Sequence, residues 1–181
     1  LKKVMATGFK RLEAVRQRLG FSCPLWITQN NGSIIDLAHA IDYPVLTISA
    51  GPTNSFIGGT KLSQLADAVV VDIGGTSTDV GVVRKGYPRR CLNNSHIGGI
   101  TLNFSMPDVQ SIALGGGSYV EVSETVKIGP QSCARRIIRE AISFGGTKLT
   151  LTDIALAMGH LEIPGTNPDK ITLSRPACRT V

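Results

Sequence analysis

The sequence predicts an α/β fold in which a mixed sheet carries flanking helices. Short apolar, β-branched segments alternate with helical patterns over residues 3–73, and this order of elements is typical of the class. Residues 68–73 (AVVVDI) are rich in valine, as expected of a strand with both faces covered. The chain has 181 residues, of which 42% are hydrophobic, so it is large enough to bury a core, and one domain is expected over residues 1–181.

The first third of the chain contains the alternating elements. In order, they are an amphipathic helix over residues 3–19 that ends at Gly20, a buried strand over 25–28, a turn over 30–32, a short helix over 33–40, a second strand over 45–48 and a helix over 51–65. Trp26 lies in the first strand and is expected to be in the core.

Downstream of the valine-rich strand, the pattern changes to that of a β-meander. Residues 80–83 run back after a turn, and Lys85 and Gly86 turn the chain again toward a strand at residues 89–93. The elements expected next are a small hairpin (120–122 and 126–128), a basic helix (132–141), a break at Gly145 and Gly146, and a helix with Thr152 as N-cap and residues 153–158 as its body. The tail over residues 165–181 is expected to be extended.

Composition and charge argue against several classes of protein. No apolar run reaches the roughly 20 residues needed to cross a bilayer, and the basic N-terminus precedes no apolar core of a secretory signal. The net charge is +6, but the basic residues are scattered and lack interleaved aromatic residues, so no nucleic-acid partner is expected. A cytoplasmic protein without a membrane partner is therefore expected.

Cysteines and histidines show no metal-binding or redox pattern. The four cysteines are widely spaced: Cys23, Cys91, Cys133 and Cys178. They form no C-x-x-C pair, so buried free thiols are expected. His39, His96 and His160 have no acidic or cysteine neighbour at ligand spacing, which favours packing or surface roles.

The string DIGGTSTD at residues 72–79 is the most informative motif in the chain. Two adjacent glycines let the backbone approach an anion closely, because no Cβ intervenes and positive φ is accessible. Residues 76–78 add hydroxyl and amide donors for phosphate oxygens. The carboxylates of Asp72 and Asp79 would repel phosphate unless a cation lies between them. They are therefore placed for Mg²⁺ or its water shell, for positioning a water, or for a proton transfer.

The same string also has a purely structural interpretation, since G-G-T often turns a hairpin and a preceding Asp can form an Asx turn. Its position between a valine-rich strand and an apolar return strand favours phosphate binding. A second glycine run consists of Gly115, Gly116 and Gly117. This run either forms a flexible corner or lets a nucleotide lie against bare backbone.

These motifs resemble those of the hydantoinase/oxoprolinase family, whose members carry the actin-like ATPase (ribonuclease H-like) fold. The family string D-[IM]-G-G-T-[ST]-T-D-V is matched by residues 72–80. Other segments follow in the family's order over roughly residues 20–160: the P-V to G-P segment at 44–52, with Ala50 in place of the usual serine, NFSMPDV at 103–109, LGGGS at 114–118, IGPQS at 128–132, and FGG with TLTDI at 144–154.

The resemblance implies an ATP-dependent hydrolase of cyclic amides such as hydantoin or 5-oxoproline. ATP and Mg²⁺ are the implied cofactors, and a partner subunit or a homo-oligomer is implied as well. The implied catalytic and metal-binding residues are Asp72 and Asp79. The residues implied to hold phosphate or to line the nucleotide or substrate cleft are Gly74, Gly75, Thr76, Ser77, Thr78, Gly115, Gly116 and Gly117.

Two departures from the family pattern modify these expectations. No second D-x-G-G-T motif and no H-G-T-T segment occurs, so the chain is expected to be one lobe of a longer enzyme, with an incomplete nucleotide cleft. Residues 133–140 (CARRIIRE) stand where the family often has a Gly-Pro-rich stretch, which leaves the substrate open. A small-molecule kinase or ATP-driven reactivation factor of the same fold, and a non-enzymatic assembly or regulatory module, are the alternative functions.

Overall fold

The computed structural model describes residues 2–91, 95–97, 100–102 and 106–171. The chain divides into two compact units. The first unit contains residues 1–70 and 80–109, and the second contains residues 71–79 and 110–181. Several segments named above lie outside the described residues: 92–93 of the strand predicted at 89–93, 103–105 of the NFSMPDV segment, Cys178, and 172–181 of the predicted tail.

The first part of the chain contains both helices and short strands. The elements are α1 (Lys2–Arg18), β1 (Trp26–Thr28), β2 (Ile34–Asp36), α2 (Leu37–Asp42), a 3₁₀ helix (Pro44–Thr47), α3 (Ala50–Ser63), β3 (Ala68–Ile73), β4 (Thr78–Arg84), β5 (Tyr87–Pro88), β6 (Ser95–Ile97), β7 (Ile100–Leu102) and β8 (Val109–Ile112). Strands β3, β4 and β5 follow one another in one sheet, and β8 also pairs with β4. The first helix and the helix after residue 50 confirm the sequence predictions.

The second unit continues with a hairpin and short helices. Its elements are β9 (Ser118–Val122), β10 (Val126–Ser132), a 3₁₀ helix (Ala134–Arg136), α4 (Ile137–Glu140), a 3₁₀ helix (Ile142–Phe144), α5 (Leu151–Ala157) and a 3₁₀ helix (Pro168–Lys170). The predicted hairpin is confirmed, with β9 and β10 antiparallel. Val120 and Ile154 form the buried centre of this unit, and Ile128, Leu149, Leu151 and Met158 pack against it.

Several predictions in the first unit are wrong. Residues 45–48 form no strand, because Pro44 fixes φ at the start of a 3₁₀ helix that Leu46 N–H closes by donating to Tyr43 O at 3.1 Å. The helix predicted at 33–40 begins only at Leu37, because Asp36 is its N-cap and accepts from His39 N–H. Trp26 is 55% exposed rather than in the core, since β1 belongs to a two-stranded sheet.

The valine-rich strand is confirmed as β3, but the prediction that both faces are covered is wrong for the described residues. Its side chains alternate between partly buried and exposed along the strand, and Val69, Val71 and Ile73 are the exposed ones. Successive side chains of a strand point to opposite faces, so one whole face is left uncovered. A run of valines fits a half-buried strand as well as a buried one.

Two helix predictions in the second unit are also corrected. The basic helix predicted over 132–141 is reduced to a 3₁₀ turn and the four residues of α4, because β10 runs to Ser132 and Ala134 has φ of 47°. The N-cap of α5 is Thr150 rather than Thr152. Thr150 and Asp153 form a capping box, in which each side chain accepts from the other's backbone N–H.

No helix among residues 2–91, 95–97, 100–102 and 106–171 is long and apolar enough to cross a membrane. Cys133 is a buried free thiol, as predicted, whereas Cys23 is exposed.

Candidate phosphate-binding site

The turn predicted to bind phosphate lies between β3 and β4. The N–H of Gly74 donates to the carbonyl oxygen of Ser77 at 2.9 Å and closes the turn. Gly74, Gly75 and Thr76 are exposed, and neither glycine has a positive φ. Thr76 has no hydrogen-bond partner within the described part of the chain. The tip of the turn is therefore accessible to a ligand.

The second glycine run, Gly115 to Gly117, is called the glycine loop below. It holds the other side of this turn, and the two segments lie in the same unit. Gly116 N–H donates to Gly74 O at 3.0 Å, and Gly117 N–H donates to Gly75 O at 2.7 Å. Carbonyl oxygens carry partial negative charge and repel anions. Because the loop binds these two oxygens, the turn is fixed with its acceptors paired to protein donors.

The loop glycines are required by this contact. A Cβ added to Gly115 would lie 2.6 Å from Gly74 O and 2.8 Å from Thr76 N. A Cβ on Gly117 would lie 2.8 Å from Gly75 O. By contrast, nothing lies within 4 Å of a Cβ built on Gly75. The glycines of the loop allow backbone to pack on backbone, whereas Gly75 leaves open space at the tip of the turn.

The loop is itself fixed by the surrounding elements. Gly116 O accepts from both the N–H and the hydroxyl of Thr152, at 2.8 and 2.9 Å. Gly117 O accepts from Cys133 N–H at 2.9 Å, and the fully buried hydroxyl of Ser118 accepts from Gly115 N–H at 2.9 Å. Of the two possibilities that the sequence left open, a flexible corner is inconsistent with this set of bonds.

The two acids beside the turn have different surroundings. Asp79 Oδ1 accepts a hydrogen bond from the hydroxyl of Ser111 on β8, which fixes its carboxylate. Within the described residues, the Asp72 carboxylate has no hydrogen bond and no ion pair. Both residues are partly exposed. The Asp72 carboxylate is therefore freer than the Asp79 carboxylate to bind a cation or water.

Thr78 differs from its neighbours in the motif. Its side chain is 9% exposed, and its hydroxyl donates to Leu114 O at 2.7 Å. This bond joins the start of β4 to the segment that leads into the glycine loop. The hydroxyl proton of Thr78 is thus committed to the protein, while the Thr76 hydroxyl has no such partner.

The donor set is compatible with magnesium bound together with a nucleotide. The described residues contain no group of three or more His, Cys, Asp and Glu side chains that could hold a metal ion. Mg²⁺ is usually bound by one or two carboxylates, with phosphates and water completing its coordination. Asp72 and Asp79 meet that smaller requirement, so phosphate oxygens would be needed to complete the site.

The structure thus places every predicted site residue in or beside one turn and one loop of the second unit. Their assignment as ligands of phosphate or metal stays a prediction. Sequence reasoning missed Ser111, because only the pairing of β8 with β4 brings this serine to Asp79.

Sequence reasoning also missed the buried carboxylate of Asp153. Its Oδ1 accepts from the N–H and hydroxyl of Ser143, and its Oδ2 accepts from the N–H and hydroxyl of Thr150. The TLTD string was a possible signal, since Thr followed three residues later by an acid is a capping-box pattern. The carboxylate positions the start of α5, where Thr152 holds the glycine loop.

A second polar group joins β9 to α4. The Tyr119 hydroxyl and the Arg136 guanidinium both donate to the carboxylate of Glu140. These two hydrogen bonds lower the pKa of Glu140 below its ordinary value of 4.5. The bond from Tyr119 has the larger effect and the bond from Arg136 the smaller one. The bond to Glu140 raises the pKa of Tyr119 above 10.0, because it stabilises the protonated phenol. Arg136 belongs to the basic segment but is paired within the unit.

The fold matches that of ATP-dependent enzymes of known structure. A nucleotide-free structure of acetone carboxylase superimposes on 92% of this chain, using 25% of its own chain, with a TM-score of 0.72 and 20% sequence identity. An ATP-dependent caprolactamase from Pseudomonas jessenii covers 98% of this chain with 26% of its own, at a TM-score of 0.63 and 26% identity. The predicted α/β fold of the actin-like ATPase class is confirmed.

The chain belongs to the hydantoinase/oxoprolinase family, whose sequence profile matches residues 1–167. Caprolactamase subunit alpha from Pseudomonas jessenii is 27% identical over 182 aligned positions. The alignment covers 98% of this chain and 26% of the relative. The beta subunit of acetone carboxylase from Xanthobacter autotrophicus is 27% identical over 129 residues, or 68% of this chain and 17% of the relative. This chain spans about a quarter or less of the length of these relatives.

Proposed function

We propose that this chain is part of an ATP-dependent hydrolase that acts on cyclic amides, with hydantoin-like and 5-oxoproline-like rings as the substrate class. The exposed turn at residues 74–76 carries the proposal, because the glycine loop binds its carbonyl oxygens and leaves its tip open to an anion. The similarity to an ATP-dependent caprolactamase supports both the nucleotide and the amide.

In this proposal, the turn binds the transferred phosphate of ATP. Thr76 and Ser77 donate to phosphate oxygens, and Gly75 provides the space for them. Asp72 and Asp79 hold Mg²⁺ or its water shell, and the cation supplies charge neutralisation between carboxylate and phosphate. Asp79 is held in position by Ser111, so its carboxylate is oriented before the nucleotide binds.

A longer chain and a partner subunit complete the enzyme in this proposal. The relatives above are described as subunits, and they extend well beyond the length matched here. One phosphate turn fixes only part of a nucleotide. The 181 residues alone are therefore expected to bind ATP weakly and to catalyse no turnover.

The similarity to acetone carboxylase favours ATP-dependent carboxylation as a second candidate function. This alternative uses the same phosphate turn and changes only the compound that is activated. Bicarbonate separates the two candidates, since only carboxylation consumes it.

The test is coupled turnover by the full-length protein with its partner subunit. Hydantoin, 5-oxoproline and caprolactam are offered with ATP and Mg²⁺, and ADP and the ring-opened product are quantified together. Stoichiometric formation of both supports the hydrolase. ATP consumption that requires bicarbonate and a ketone supports the carboxylase, and a stable phosphorylated product supports a kinase. An intact protein that opens none of these rings contradicts the proposed function.

A further inference from the structure

A small cavity in the first unit lies outside the phosphate turn and has no role in the proposed reaction. Its volume is about 60 Å³. It is lined by Asn30, Asn31, Thr53, Tyr87, Pro88, Arg90, Met106 and Pro107. A cavity needs about 10–15 Å³ to hold one water molecule, so this one admits a group larger than water.

Asn30, one of the lining residues, has a side-chain donor without a partner. The residue is 4% exposed, and its side-chain Nδ2 has no hydrogen-bond partner. Its backbone is fixed on both sides, because Asn30 N–H donates to Leu46 O at 2.7 Å and Asn30 O accepts from the Thr53 hydroxyl at 2.8 Å. A buried amide donor without a partner is destabilising, because it has lost its hydrogen bonds to water, so a ligand that accepts from it would recover stability.

Arg90 brings a positive charge to the same cavity. Within the described residues it forms no ion pair, whereas the adjacent Arg89 is paired with Asp108 at 2.6 Å. The backbone of Arg90 is fixed by a β-bridge to Pro107, which also lines the cavity. The cavity therefore combines one buried amide donor with one guanidinium that is available for a ligand.

The remaining walls are mixed, because Asn31 and Tyr87 carry polar groups and Met106 and the two prolines are apolar. Met106 and Pro107 are buried, and Pro88 is partly buried. The Thr53 hydroxyl already donates to Asn30 O, so it adds no further donor. A ligand that fits must accept hydrogen bonds, carry negative charge and be small.

We propose that this cavity binds the carboxylate group of a small organic acid. One carboxylate oxygen accepts from Asn30 Nδ2, and the guanidinium of Arg90 donates to the carboxylate in a charge-assisted hydrogen bond. The site belongs to the first unit and does not depend on the proposed ATP chemistry.

The test is a ¹H–¹⁵N NMR titration of the chain with sodium acetate at constant ionic strength, read at the side-chain amide of Asn30. We expect a saturable shift with acetate and none with the neutral isostere acetamide. Arg90→Gln should weaken acetate binding on the order of tenfold to a hundredfold, because it removes a charge-assisted hydrogen bond. The matched control is Arg89→Gln, which removes an equal charge at a residue that does not line the cavity and should leave the affinity unchanged.

Three outcomes would overturn the carboxylate site. They are an absence of saturable shifts in a well-dispersed spectrum, equal shifts with acetamide, and equal losses in the two arginine variants. Arg90 is exposed, so its substitution is not expected to unfold the chain. Asn30→Asp provides an independent variant, because it replaces the buried donor with an acceptor and should abolish the shift of Arg90 Nε–H on addition of acetate.

Discussion

The amide of Gly117 donates to the carbonyl oxygen of Gly75 over 2.7 Å, so the second glycine run binds the first. The absence of Cβ predicts that the first run approaches an anion, and for the second run it leaves either a flexible corner or a ligand contact open. The structure separates them, because the loop glycines contact protein backbone and Gly75 faces open space. Any ligand role for the loop would therefore be added to a role in holding the turn.

Alanine at Gly115 should destabilise the second unit. Its Cβ would lie 2.6 Å from Gly74 O and 2.8 Å from Thr76 N, and backbone atoms cannot move aside as a flexible side chain can. We expect a loss of about 1–3 kcal/mol in the free energy of unfolding, measured by urea denaturation. Gly75→Ala is the matched control, with an expected change within about 0.5 kcal/mol. Equal losses in the two variants would contradict the backbone packing.

Gly75→Ala also tests, in the full-length protein, whether the turn binds phosphate. A methyl group at Gly75 would occupy the space where phosphate is proposed to bind, so Gly75→Ala should weaken ATP binding while the fold stays intact. Calorimetric titration with ATP and Mg²⁺ measures the effect. Wild-type affinity in Gly75→Ala would remove the turn from the nucleotide site.

Asp72→Asn should reduce magnesium-dependent turnover of the full-length enzyme at least about 100-fold, because a neutral amide stabilises the cation poorly at the transferred phosphate. Stability should change little, since the Asp72 carboxylate has no hydrogen bond or ion pair within the described residues. Asp67→Asn serves as the control, because Asp67 precedes β3 and is not part of the site. Wild-type turnover in Asp72→Asn would refute the assignment of Asp72.

Asp153→Asn should be among the more damaging conservative changes in the chain. The carboxylate is fully buried and accepts four hydrogen bonds, and an asparagine side chain replaces one acceptor oxygen with a donor that faces other donors. We expect a loss of about 1.5–3 kcal/mol by urea denaturation. Asp108→Asn removes an exposed carboxylate paired with Arg89 and should cost about 0–1 kcal/mol. A larger loss at Asp108 would contradict the structural role of Asp153.

The contact between Glu140 and Tyr119 should make stability depend on pH at both extremes. The folded pKa of Glu140 is below 4.5, so its contribution is fully present above pH 4.5 and is lost as the pH falls through the folded value. The folded pKa of Tyr119 is above 10.0, so its contribution is present below pH 10.0 and is lost as the pH rises through the folded value.

Urea denaturation at a series of pH values checks these two slopes. Glu140→Gln removes the carboxylate that Tyr119 and Arg136 contact, so both slopes should become shallower. Tyr119→Phe should remove the alkaline slope and weaken the acidic one, because Arg136 still pairs with Glu140. Unchanged slopes in Glu140→Gln would show that other groups are responsible.

Local patterns in the sequence were sufficient for the strongest elements. Helical spacing identified α1, the Gly-Pro start identified α3, and the turn between two apolar strands placed residues 74–77 between β3 and β4. Local patterns predicted short segments less accurately. Residues 45–48 have strand-forming side chains, yet Pro44 and a tertiary bond from Asn30 N–H to Leu46 O favour a 3₁₀ helix.

By itself, the sequence determined the fold class, the family resemblance and the DIGGTSTD motif at residues 72–79, because these depend on local spacing and on residue types that occur together along the chain. Only the tertiary structure decided that the loop of Gly115, Gly116 and Gly117 binds the carbonyl side of the turn and that Ser111 fixes Asp79. The physical reason is that hydrogen bonds between segments more than 30 residues apart depend on strand pairing and backbone packing, and neither leaves a local pattern in the sequence.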